Sequence, residues 1–222
     1  MKFLVLLSAL TLFIVSCSDP VDPAPTPVTY TMPATGTTFS YTTYRTDAQG
    51  AKVPGSDGER SDAVIASNIV FDMESGVWAV AGADTTYYRV DKYNDVQMRT
   101  SAVNEPYFRS AWVRLPITTG TVTPVFFSDR TTNNGVVLDI VKTLSAERIA
   151  EENVTINGAS VRTFKIRVSY SVVVKENESI ASDLRGYAYI WFAPSMGTFV
   201  RREVPAQSFL GTDVSGLVEV LK

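Results

Sequence analysis

Residues 160–174, SVRTFKIRVSYSVVV, carry an apolar side chain at every even position from Phe164 to Val174, while Thr163, Lys165, Arg167, Ser169 and Ser171 alternate with them. A period of two is the repeat of a β-strand, whose successive side chains point to opposite faces; a helix cannot gather these residues on one side. The stretch predicts a long strand with one buried and one wet face. Asn157 and Gly158, just before it, tolerate the positive φ angles of a type I′ turn, so EENVTI and the long strand are expected to form a hairpin.

Shorter runs of the same kind fill the rest of the chain. In TTFSYTTYRT, Phe39 and Tyr41 share a face and DAQG supplies the next turn; IVFD, GVWAV, TTYYRV, VQMRT, AWVRL, TPVFFS, VVLDIV, GYAYIWFA, TFVRREV and GLVEVL also read as strands. Helices fit only at residues 63–67, 101–107 and 145–152. Roughly ten to thirteen strands in one domain must curl or divide into packed sheets, because a flat open sheet would expose its edges and one apolar face. The expected fold is therefore all-β or β-dominated. A single domain over residues 37–222 would be built on a curved antiparallel half-barrel with one or two short helices, or alternatively on a β-sandwich.

The N-terminus obeys different chemistry. Lys2 is followed by an apolar run from Phe3 to Val15, which at 1.5 Å per residue covers about 20 Å of a hydrocarbon core about 30 Å thick. It fits a secretory signal better than a membrane span. Ile14, Val15, Ser16 and Cys17 resemble the bacterial lipobox, and Cys17 is the single cysteine of the chain. That resemblance implies a signal peptide over residues 1–16, a lipidated Cys17, and a membrane partner reached through acyl chains such as palmitate. Each buried methylene of such a chain contributes about 0.8 kcal/mol. With no second cysteine there is no internal disulfide, so stability must come from an ordinary core. Pro20, Pro23, Pro25, Pro27 and Pro33 then make residues 17–36 an extended tether. Ser18 and Asp19 are similar to the serine-acidic export signals of surface lipoproteins, which points to an outer-membrane location on either its periplasmic or its external face.

Near the C-terminus, YAYIWFAPSMGTFVRREV resembles a strand-turn-strand segment of uncharacterised bacterial envelope lipoproteins. Trp191, Phe192, Ala193, Pro194, Gly197, Val200 and Arg201 are the matching positions. Some of those proteins have folds similar to the LolA- and LppX-like half-barrels of lipoprotein carriers. The resemblance implies an antiparallel sheet wrapped partway around a helix, enclosing an apolar cavity. Pro194 and Gly197 also suffice to explain the segment as an ordinary turn.

Composition narrows the chemistry. The chain has no histidine, which removes histidine-based triads and the commonest zinc ligand. Glu151, Glu152, Asp139, Asp72 and Glu74 are carboxylates that the sequence cannot pair into a glycosidase-like site. No glycine-rich phosphate loop is present. DKYND, residues 91–95, reads as a β-turn rather than a calcium loop, so no metal and no cofactor is expected. Loss of Lys2 with the signal leaves 19 cations against 23 anions, a balance that disfavours nucleic acid. Trp78, Trp112, Trp191, Tyr87 and Tyr88 are residues that β proteins usually bury.

These readings favour a non-enzymatic, membrane-anchored envelope lipoprotein whose curved sheet binds or shields a lipid or other apolar ligand, with Trp112, Phe126 and Trp191 lining the cavity. The alternative is a surface-exposed module that holds a glycan or a protein partner, with its interior filled by side chains. Replacing Cys17 by serine is expected to move the protein from the membrane to the soluble fraction; a variant that sediments with membranes like the parent contradicts the lipid anchor.

Overall fold

The computed structural model describes residues 27–100, 112–118, 120, 124–133, 135–209 and 212–222. Among them every regular element is a strand. A first meander comprises β1 (Thr38–Thr46), β2 (Gly58–Phe71), β3 (Glu74–Ala81), β4 (Thr85–Val90), β5 (Val96–Thr100) and β6 (Val113–Leu115). A second comprises β7 (Val125–Asn133), β8 (Val136–Ile156), β9 (Ala159–Glu176), β10 (Ser179–Ala193) and β11 (Thr198–Val204). A small hairpin of β12 (Gln207–Phe209) and β13 (Thr212–Val214) precedes the last strand, β14 (Gly216–Leu221).

Twelve of these strands make one antiparallel sheet in the order β6-β5-β4-β3-β2-β1-β14-β11-β10-β9-β8-β7. The sheet curves until it nearly closes, so the half-barrel expected from the sequence is a more complete, barrel-like structure. Alternation decides which face turns inward. On β9, Phe164, Ile166 and Val168 are buried, whereas Arg167 is exposed. On β1, Phe39 and Tyr41 are buried while Ser40 is exposed. The hairpin between β8 and β9 turns through Asn157 and Gly158, at φ 50° and 79°, as a type I′ turn requires.

Two of the segments that fitted helices are strands. Residues 63–67 belong to β2, where Val64 points into the core and Ile65 outward, and residues 145–152 lie in β8, paired with β9. Ala, Glu and Arg favour a helix there only weakly, and a ladder running nearly the length of β9 outweighs that local preference. The third segment, 101–107, lies outside the described residues, as does Cys17. The folded body also begins earlier than residue 37. Val28, Tyr30 and Met32 pack against the core, and the amide of Thr31 donates to the carbonyl of Pro194 at 2.9 Å. Gly197 is required at this crossing: its φ is 65°, and a Cβ would lie 2.6 Å from both Pro33 Cδ and Thr31 O.

The interior contains charge as well as hydrocarbon. Arg60 donates to Asp62 at 2.7 and 2.8 Å and to Glu219 at 2.9 Å, and Arg202 donates to the other oxygen of Glu219 at 2.6 Å. Asp62 and Glu219 are both buried. Tyr41, stacked on Phe199 at 4.9 Å, covers this network and donates to the Phe199 carbonyl. Burial opposes the charge of Arg60, yet its hydrogen bonds to Asp62 and the field of Glu219 raise its pKa. Buried ions persist only when paired in this way, and removing one partner typically costs about 3 to 5 kcal/mol.

Three tyrosines are shifted in the same direction. Burial pushes the hydroxyls of Tyr30, Tyr41 and Tyr88 well above the ordinary tyrosine value, and nearby carboxylates add to the rise. A raised pKa means that the native state keeps protons the unfolded chain gives up, so their contribution is complete below about pH 10 and is lost as pH rises further. The urea midpoint is therefore expected to fall between pH 10 and pH 11, and Tyr88→Phe to make that fall shallower. A midpoint that stays constant through pH 11 contradicts this account.

Candidate functional site

Among the described residues, large side chains occupy the inward face. Trp78, Tyr41, Phe164, Phe192, Leu144 and Ile166 are all fully buried there, and the indole N–H of Trp78 donates to Gly197 O at 2.8 Å across the interior. Tyr88 stacks on Trp78 at 5.7 Å. No helix runs through the sheet among the described residues. Two described recesses lie at the seam of the sheet, partly against inward-facing residues, and on its outward face.

One recess follows from incomplete closure. Strand β7 begins at Val125, opposite Leu144, so β8 beyond that point has no β7 partner and faces β6 instead. Among the described residues, two bonds cross this seam: the amide of Arg148 donates to Gly120 O at 2.7 Å, and its guanidinium donates to Ile117 O at 2.5 Å. A cleft of about 260 Å³ remains, lined by Trp112, Val113, Arg114, Gln97 and the Leu144–Ala146 edge of β8. The buried Trp112 Nε1 and Gln97 Oε1 there meet no hydrogen-bond partner.

The three residues expected to line one apolar cavity are in three places. Trp112 stands at the seam on the outward face, with the Arg89 guanidinium 5.0 Å from its ring and Phe71 edge-on at 6.2 Å. Phe126 is 68% exposed on β7, the edge strand. Trp191 is only 5% exposed, yet it too lies on the outward side of β10, beneath Lys165 and Arg201 at 4.6 and 4.8 Å, and its indole N–H donates to the Glu152 carboxylate. Parity is the reason: each sits one residue away from an inward-facing neighbour, namely Val113, Val125 and Phe192.

The carboxylates weighed as catalytic are dispersed. Glu151 pairs with Arg162, Asp139 with Arg130, Asp72 with Arg99 and Glu74 with Arg89. The DKYND segment is a turn in which Asn94 N donates to Asp91 O, while the Asp91 carboxylate accepts from Tyr93 N and pairs with Arg114. No group of three metal-ligating side chains occurs among the described residues.

The largest described recess, about 570 Å³, lies on the outward face of β8, β9 and β10. Its shape follows from register. Ser145, Ser169 and Tyr187 form one row across the three strands, and Thr143, Ser171 and Arg185 form the next. Short hydroxyl side chains make a floor between longer neighbours. Arg167 closes one end with its guanidinium 4.6 Å from the Tyr187 ring. Arg185 stands at the other end, paired with Asp183 at 2.8 Å, and that bond holds the Asp183 carboxyl below its usual range. Beyond the end of β11, Gln207 caps the exposed Tyr187 carbonyl at 3.0 Å. The wet face of residues 163–171 was legible in the sequence; its alignment with Ser145, Tyr187 and Arg185 was not, because those residues lie on other strands.

No family model matches this chain, and no curated protein matches it. Among solved structures, the hypothetical lipoprotein YmcC from Escherichia coli (K12) is similar over 82% of this chain and 86% of that chain, at 11% sequence identity and a TM-score of 0.34.

Proposed function

We propose that this chain is a non-enzymatic envelope lipoprotein, fastened to the outer membrane through acyl chains on Cys17, that meets its ligand with the outward surface of its sheet. The lipobox-like residues 14–17, the proline-rich stretch after them and the Ser18–Asp19 pair support the anchor and its location. One observation carries the rest: the inward face is occupied by aromatic side chains and a paired ion network, while a recess in the size range of ligand sites lies on the outward face. An apolar ligand inside the curve of the sheet would have to displace Trp78, Tyr88 or Phe192. It would also sit against Arg60 and Glu219, whose charges cost most where no water can reach them. The separation of the candidate carboxylates and the lack of histidine favour binding over catalysis.

Native mass spectrometry of the full chain, extracted from its own membranes in mild detergent, tests this reading. The expected mass is the processed polypeptide plus covalent acyl groups, with no stoichiometric free lipid. A non-covalent lipid retained by both the parent and Cys17→Ser overturns it and restores an internal apolar site.

A further inference from the structure

The recess on the outward face of β8–β10 has a chemistry of its own, and Phe126 stands next to it on the edge strand. Phe126 pairs with Thr143, so the row Thr143, Ser171, Arg185 continues onto the edge strand as Phe126. An exposed phenyl ring therefore flanks a floor of four hydroxyls, with the Tyr187 ring on the far side and a guanidinium at each end. Rows along a strand are two residues apart, about 7 Å, so Arg167 and Arg185 stand about 13 Å apart along the strand direction.

We infer that this face binds an acidic oligosaccharide about three sugar units long. The inference rests on the outward-surface reading above and names the ligand class for it. Sugar rings present apolar C–H faces, which aromatic rings cover, and hydroxyl edges, which the alcohols of Ser145, Ser169, Thr143 and Ser171 match as both donors and acceptors. The Arg167 guanidinium suits a carboxylate on a terminal sugar, since a planar fork grips a carboxylate bidentately, and Arg185, whose fork holds Asp183 in the free protein, takes a second by exchanging that partner. A purely apolar ligand is disfavoured by the hydroxyl floor, because every alcohol it covers without a partner is penalised. A long polyanion such as nucleic acid is disfavoured by the chain's net negative charge.

The test is titration of the detergent-solubilised full chain with trigalacturonic acid and, separately, with the neutral trisaccharide maltotriose. Trigalacturonic acid is expected to bind at least about tenfold tighter than maltotriose, and to weaken as salt rises. Phe126→Ala is expected to weaken it about tenfold, Arg167→Gln and Arg185→Gln about fivefold each, and Ser169→Ile, which fills the floor while keeping a strand-forming residue, to abolish binding. Thermal melts of the four variants verify that they fold. No binding of trigalacturonic acid by the parent, equal binding of the neutral sugar, or undiminished binding by folded Ser169→Ile each overturns the inference. Those results leave the membrane anchor and the filled interior to be judged by fractionation and native mass spectrometry, so the two failures are distinguishable.

Discussion

Six residue pairs between β1 and β14, from Tyr41 with Leu221 to Thr46 with Gly216, hold two meanders in a single sheet. Each meander alone is an open sheet with two raw edges and an apolar face. Joined at this central ladder they curl toward each other, and only β6 and β7 remain as edges. The ladder also places Glu219 where it reaches Arg60 on β2, across β1, and Arg202 on neighbouring β11, so the paired charges inside the sheet depend on the same junction. Because the partners lie some 160 positions apart in the chain, the loop-closure cost is large and must be offset by ladder bonds and core burial together.

Closure has a functional consequence that follows from volume. A sheet that nearly meets itself must fill its inside with side chains or with a ligand. Here, among the described residues, Trp78, Tyr88, Phe164 and Phe192 are buried on the inward side. The proposed binding uses the outward face, where alternation has sent the longer polar side chains and where three long strands, β8 to β10, present parallel rows. Residues Ser179–Ala188 of β10 run past the end of β11, so this part of the surface is a broad, accessible sheet rather than a narrow rim.

Much of the strand content was legible, because a period of two survives in almost every segment and turn residues separate them. Two helix-like segments were misleading for an instructive reason: SAERIAEE is locally suited to a helix, and only a long partner strand makes β8 of it. The candidate ligand-site residues were legible in kind but not in arrangement. Trp112, Phe126 and Trp191 are the sort of side chain that handles ligands, yet whether they converge depends on which face each strand turns inward. Trp191 proved to be a covered outward residue held by Glu152, and Phe126 gained its neighbours from β8 and β9.

The amino-acid sequence alone determined the alternating strands, the type I′ turn at Asn157–Gly158, the exclusion of histidine chemistry and the lipobox-like start, because each depends on residues within a few positions of one another. Tertiary structure decided how far the sheet closes, which aromatic side chains it buries, that Arg60, Asp62, Glu219 and Arg202 meet, and that hydroxyls from different strands align into one floor. Those outcomes depend on register between distant segments, and a shift of a single residue would turn every side chain of a strand to the other face.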